Sequence, residues 1–237
     1  MLNKLPIRVA VLGGLLFFAS IAPGGLMTAH SESASFVPVS EEADRLAKEK
    51  FEAGNACYAN GDYKGAIKFY SESIKLNPDL ATPYCCRGLA YDEIAEYMNA
   101  VDDFSKAIEI EPTKAEAYLR RGIAYIKLED YPHTIADITE ALNLGLDDNL
   151  ADEAYLNRAL AYDHSGDYAH AVEDYTENIR LIDDPLIYIN RAWSYYNMGD
   201  YDHGIADLET ALKYRPGDRM IEEGLERMRT AKREAKN

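Results

Sequence analysis

The chain has 237 residues, 47% hydrophobic and 28% charged, with ample apolar side chains for a core, which excludes wholesale disorder. Its 25 Lys and Arg stand against 41 Asp and Glu, a net charge of -16, which excludes the basic face needed by a nucleic-acid reader or an anionic-membrane binder. Three cysteines, at 57, 85 and 86, are too few for a disulfide framework and match no zinc spacing.

The N-terminus reads as a segment apart. Met1 to Arg8 carries Lys4 and Arg8 and no acid, Val9 to Ala22 is an apolar run of 14 residues, and Ala29-His30-Ser31 puts small residues around a cleavage point. This order predicts a secretory signal peptide over 1-31, with residues 32-46 as linker. The alternative is an uncleaved anchor over residues 9-22, although that run is short of the ~20 residues that span a bilayer. No cysteine follows closely enough for a lipid anchor. Either reading delivers the body outside the cytosol, and the expected location is the bacterial periplasm. Removal of 1-31 takes away Lys4 and Arg8 and no acid, leaving a net charge of -18.

From residue 47 the chain repeats itself. Five units follow, at 47-80, 81-114, 115-148, 152-184 and 185-218, with Asn149-Leu150-Ala151 inserted before the fourth. Tyrosines 63, 97, 131, 168 and 201 mark the same turn in each, separated by 34, 34, 37 and 33 residues. Each unit contains two amphipathic helical patterns joined by Gly-Asp-Tyr, Ala-Glu-Tyr or Glu-Asp-Tyr. One helix pair cannot bury both its faces, so stacked pairs must build one continuous core. Residues 219-237 predict a capping helix, with Ile221, Leu225 and Met228 on one stripe and charges elsewhere.

Over 172 of the 237 residues this pattern resembles the tetratricopeptide repeat (TPR) family. The family's small residue at repeat position 8 is matched by Gly54, Gly88, Gly122, Ala159 and Ala192. Tyr91, Tyr125, Tyr162 and Tyr195 match at position 11, where Cys57 departs; Ala66, Ala100 and Ala171 match at position 20, where Thr134 and Gly204 depart. Large apolar residues fill position 24 (Tyr70, Phe104, Ile138, Tyr175, Leu208), and Pro78, Pro112 and Pro216 occupy position 32, where Leu146 and Asp183 depart. The resemblance implies an all-α, right-handed α-solenoid of antiparallel helix pairs. It specifies fold much more closely than function.

One internal pairing stands out. Position 7 is Arg87, Arg121, Arg158 and Arg191 in repeats two to five, and position 23 is Asp103, Asp137, Asp174 and Asp207; repeat one has Ala53 and Phe69, losing both together. Joint loss predicts contact within a repeat, since pairing across repeats would set Arg87 against Phe69 and strand Asp207.

Catalytic patterns are absent: the chain has no Gly-rich phosphate loop, nucleophile elbow or paired-histidine metalloprotease motif. His133, His170 and His203 recur at position 19, but successive repeats are at least one helix-packing distance of ~8-10 Å apart, so they read as solvated helix starts. The Asp147-Asp148-Asn149 run lacks the glycine and closing glutamate of a calcium loop and reads as helix-capping acid at a stretched turn. The cysteines, on adjacent first helices, read as small buried hydrophobes. No enzyme activity, metal or cofactor is expected.

Function is therefore expected on the concave face that the resemblance assigns to positions 2, 5, 9, 12 and 13 of the first helices. Chaperone-tail binders of the family clamp a C-terminal carboxylate with five residues, whose positions here are Phe51, Asn55, Cys86, Glu116 and Arg120. Only Asn55 and Arg120 fit, and Glu116 would repel a carboxylate, so that ligand is disfavoured. The face instead carries Phe51, Asn55, Tyr58, Leu119, Ile123, Ile126, Leu156, Leu160, Ile189, Trp193 and Tyr196, a set rich in apolar and aromatic anchors. The expected partner is a protein or peptide segment, with no nucleic acid and no membrane contact except through the N-terminal segment. Trp193 is the leading candidate for a hot spot, removable without loss of helix, while about half of the set is expected to be core. Two alternatives are a self-associating subunit of an envelope or secretion complex and an accessory glycan-binding module.

Overall fold

The computed structural model describes residues 39-235, which fold into eleven helices in consecutive pairs. The first helices are α1 (Val39–Ala59), α3 (Ala81–Glu93), α5 (Ala115–Lys127), α7 (Asp148–Ser165) and α9 (Pro185–Met198). Their partners are α2 (Tyr63–Leu76), α4 (Tyr97–Ile110), α6 (Tyr131–Leu144), α8 (Tyr168–Leu181) and α10 (Tyr201–Tyr214), and α11 (Arg219–Glu234) closes the array. Each helix packs on the next, and α1 also touches α3, α3 touches α5 and α5 touches α7. The result is an all-α solenoid in which the first helices share one face. The signal-peptide and anchor readings, which fall on 1-31, lie outside the described residues. The linker expected over 32-46 is corrected in part, because α1 already begins at Val39.

One turn is built five times. The residue at position 15 adopts positive φ in every repeat and the chain closes a Schellman motif, whose two N–H bonds satisfy orphan carbonyls of the first helix. In repeat one Gly61 N–H donates to the Tyr58 carbonyl and Asp62 N–H to that of Cys57, both at 2.9 Å; in repeat four Gly166 and Asp167 do the same to Asp163 and Tyr162 at 3.1 and 2.9 Å. Ala95 and Glu129 take this place in repeats two and three at φ 59°, so the motif is kept even where glycine is not. Asp62, Asp130, Asp167 and Asp200 then cap the second helices by accepting a backbone N–H, whereas Glu96 does not.

Within a repeat, small position 8 receives large position 24. A Cβ on Gly88 would stand 2.8 Å from a Phe104 ring carbon, and one on Gly122 would stand 2.7 Å from Ile138, both closer than real contacts allow. Ala159 and Tyr175, then Ala192 and Leu208, fill the same places in repeats four and five with 1% exposure or less. At the end of the array, Ile221, Leu225 and Met228 of α11 are buried on the Ala192–Leu208 cluster.

The arginine–aspartate pairs lie within repeats, as the joint loss predicts. Arg87 donates from Nε and Nη2 to the two carboxylate oxygens of Asp103 at 2.7 Å, and Arg121–Asp137, Arg158–Asp174 and Arg191–Asp207 repeat the fork at 2.7–2.8 Å. The remaining Nη1 reaches back one repeat, to the hydroxyls of Ser71, Ser105, Thr139 and Thr176. Each guanidinium also lies over a tyrosine at position 4 (Tyr84, Tyr118, Tyr155, Tyr188) at 5.7–5.8 Å. Hydrogen bonds to Asp103 raise the Arg87 guanidinium, and burial raises the Asp103 carboxyl against the pull of Arg87; two bonds of 2.7 Å to a planar guanidinium keep the pair ionic.

Removing one partner should therefore cost far more than removing both. Asp137→Ala leaves the Arg121 guanidinium without its carboxylate and is expected to lower stability by about 3 kcal/mol in urea unfolding. The double replacement Arg121→Met with Asp137→Leu should recover most of that loss. Equal destabilisation by the single and double variants would refute the account.

Candidate functional site

The first-helix face has three stretches. At its start, the Phe51 ring lies 5.7 Å from that of Tyr70, and exposed Asn55 accepts the Tyr70 hydroxyl at 2.8 Å through its carbonyl oxygen. The Tyr58 hydroxyl donates to Glu93 of the next repeat at 3.2 Å, and burial together with Glu93 pushes the phenol up to about 12. A recess of about 570 Å³ opens here between α1 and α3, lined by Phe51, Leu80, Pro83 and Ile110 and edged by Asp44, Asp79 and Glu111.

The central stretch is closed more tightly than expected. Leu119 is a correction: it is 0% exposed, packed with Ile138, Ala141 and Ala154, and it cannot meet a partner. The cause is the inserted Asn149-Leu150-Ala151, which the structure absorbs into a longer α7, bringing Leu150 with Leu146 over that cluster. Asp147 caps this lengthened helix by accepting the Leu150 N–H at 3.0 Å. Ile123, Ile126, Leu156 and Leu160 are half-buried. Arg120 donates through Nη1 to both oxygens of Glu153 at 2.8 Å, tying α5 to α7 across the face. Asp92 has a buried Oδ1 without a hydrogen-bond partner among the described residues, and burial raises its carboxyl.

The final stretch sets an aromatic pair beside an apolar cleft. Ile189, Trp193 and Tyr196 are half-buried on α9, with the Trp193 and Tyr196 rings edge to face at 5.5 Å. Beside them a cleft of about 260 Å³ is lined by Leu186, Ile189, Trp193, Leu208, Met220 and Ile221, with Arg215 and Asp218 also bordering it. Leu186 is 52% and Met220 82% exposed. Trp193, the leading hot-spot candidate, lines this cleft and is also partly buried. Its ring packs on the Ala192–Leu208–Leu225 cluster, and a Cβ on Gly224 of α11 would lie 3.5 Å from it. Arg227 of α11 covers both rings, its guanidinium carbon 5.2 Å from the Trp193 centroid and 5.1 Å from that of Tyr196. Sequence reasoning missed Arg227 because it lies beyond the last repeat; counted from Arg219 as a new unit it occupies position 9, the place of Trp193.

The recurring polar groups are structural. His133, His170 and His203 are exposed, each bonded through Nδ1 to its capping Asp at 2.6–2.7 Å and stacked on the position-11 tyrosine at 5.0–5.2 Å. Burial pushes the Cys85 thiol up to about 12 and the Cys86 thiol up to about 11, so both stay protonated at neutral pH. Among the described residues no three His, Cys, Asp or Glu side chains are grouped to hold a metal ion, and no helix is long and apolar enough to cross a membrane.

Family models described as TPR repeat and Tetratricopeptide repeat match residues 54–93, 152–184 and 185–218. The chain is a TPR protein. Its fold is shared with the crystal structure of MamA protein, at 24% identity and TM-score 0.67 over 71% of this chain and 91% of that one. It is likewise shared with YrrB, described as a TPR protein with an unusual peptide-binding site, at 19% identity and TM-score 0.67 over 79% and 99%. A curated relative is the mitochondrial Outer envelope protein 64 of Arabidopsis thaliana, 40% identical over 67 residues; the match covers 26% of this chain and only 11% of that protein.

One histidine of this TPR protein, His170, carries a pH signature. The hydrogen bond that His170 Nδ1 donates to the Asp167 carboxylate, then the charge of Asp167, raises His170 above 6.5. The contact thus stabilises the fold fully below the unfolded value and is lost as pH rises through the raised folded one. In an NMR titration His170 should show a midpoint above 6.5, returning to about 6.5 in Asp167→Asn. An unchanged midpoint in that variant would remove the assigned cause.

Proposed function

We propose that this protein is a non-catalytic adaptor that holds a protein or peptide segment along its first-helix face, with the principal anchor at the α9–α11 end. The observation that carries the reading is the cleft beside Trp193, flanked by exposed Leu186 and Met220. Large apolar side chains left in water around a concave, aromatic-walled recess are what a binding hot spot requires. The peptide-binding site named for YrrB supports the same use of the fold, at an identity that speaks to fold alone. The face, rather than any catalytic constellation, is the chemically distinctive part of the chain.

Leu186 and Met220 test this better than Trp193, whose truncation also opens the core. Leu186→Asp with Met220→Asp should leave helical content intact and lower recovery of specifically bound proteins from an envelope extract at least about tenfold. His170→Ala, on a second helix, should recover them as wild type does. Identical recovery by all three proteins would defeat the adaptor reading at this site.

The adaptor is further proposed to work outside the cytosol, in the bacterial periplasm, on the strength of the basic, apolar and small-residue order over 1-31. Mass spectrometry of the mature protein is expected to find an N-terminus near Glu32. Intact Met1 in a cytosolic fraction would overturn export.

A further inference from the structure

Arg227 is held in a way that its scaffold role does not require. Its guanidinium is clamped over Trp193 and Tyr196, yet it makes no ion pair or side-chain hydrogen bond among the described residues. The chain has 41 acids to pair with 25 bases, and the acids nearest on α11 are engaged elsewhere: Glu223 accepts from Arg219 at 2.8 Å and Glu226 from Arg233 at 3.1 Å. The five N–H donors of Arg227 are thus preorganised by two rings and unused. The apolar cleft adjoins the same indole. Met220 at its rim precedes Arg227 by seven residues, two helical turns or ~10 Å along α11.

We propose that the α9–α11 end of the face binds an acidic–apolar peptide: an extended segment whose large apolar side chain fills the cleft and whose Asp or Glu, about three residues away, is gripped by Arg227. The spacing follows from an extended chain advancing ~3.3 Å per residue. The attraction is local and charge-assisted, since a planar guanidinium offers a carboxylate two parallel hydrogen bonds. It opposes the chain's net charge of -16, so acidic segments without the apolar anchor gain nothing from long-range attraction. The site lies at the opposite end of the array from Phe51 and Asn55, where the family's carboxylate clamp begins. This inference rests on the groove reading above and adds the partner's chemistry to it.

Trp193 is the chain's only tryptophan, so its emission reports occupancy of this site directly. The full chain is titrated with the acetylated, amidated peptide Gly-Asp-Ala-Ala-Leu-Ala-Ala-Asp-Gly, which offers a carboxylate three residues to either side of leucine, and with its Asn and Lys counterparts. The Asp peptide should bind at least about tenfold more tightly than the Asn peptide. Arg227→Gln should abolish that preference without changing Asn-peptide affinity, and Arg227→Lys should keep part of it. Equal binding of Asp and Asn peptides, or tighter binding of the Lys peptide, overturns the acidic partner and leaves the groove reading standing. If none of the three alters Trp193 emission, the groove reading falls with it.

Discussion

The rest of the structure depends on the arginine fork at repeat position 7. A solenoid must fix two relations with a short stretch of chain: how the helices of one repeat face each other, and how that repeat sits on the one before. Arg87, Arg121, Arg158 and Arg191 meet both demands with one side chain each, giving two bonds to their own repeat's aspartate and one to the preceding repeat's hydroxyl. Because the guanidinium is planar, satisfying all three acceptors fixes an orientation as well as a distance. The tyrosine beneath it covers the apolar face of the charge, so the group is desolvated without being left unsatisfied.

The same geometry decides what the first-helix face can offer. Once the pairs are stacked, an inner first helix has a neighbour on each side, and its position-5 and position-9 side chains are drawn toward the core. Leu119 goes all the way in because α7 is a turn longer than its counterparts α3, α5 and α9. Repeat five packs on its outer side against α11. That single helix cannot cover Leu186, Met220 and Trp193 together. The opening thus arises where a single helix stands in place of a pair, and the sequence sets aromatic rings and a guanidinium there.

The periodic features were legible because repetition lets a residue be compared with its own equivalents. Tyrosines at a constant interval fixed the frame, and the joint absence of Arg and Asp from repeat one predicted their contact in the others. Position 25 carried a readable signal too: Ser71, Ser105, Thr139 and Thr176 are all hydroxyls, as a third acceptor for arginine requires, but a hydroxyl on a helix has many uses and the pattern lacked a partner to explain it. What breaks the period was hard to read. The stretched turn expected at Asp147-Asp148-Asn149 is confined to the capping Asp147, with the Asn149–Ala151 insert inside α7, and α1 starts before the first repeat does. Burial along the face also depends on neighbours from three helices, which no spacing within one helix reports.

Position 25 has a last consequence at the end of the array. In repeat five it is Glu209, not a hydroxyl, and no sixth arginine at position 7 exists to reach it; Leu225 stands there instead. Arg229 of α11 donates to Glu209 at 2.9 Å in its place. The cap therefore keeps the cross-repeat tie while exchanging the buried fork for an exposed ion pair, which contributes little by itself. Docking of α11 must come mainly from Ile221, Leu225 and Met228, and from Gly224, whose missing side chain lets the helix approach Leu208 and Trp193. That close approach also carries Arg227 over the two rings. The helix that ends the fold thus builds the wall of the cleft, so stability of the cap and shape of the site are set by the same contacts.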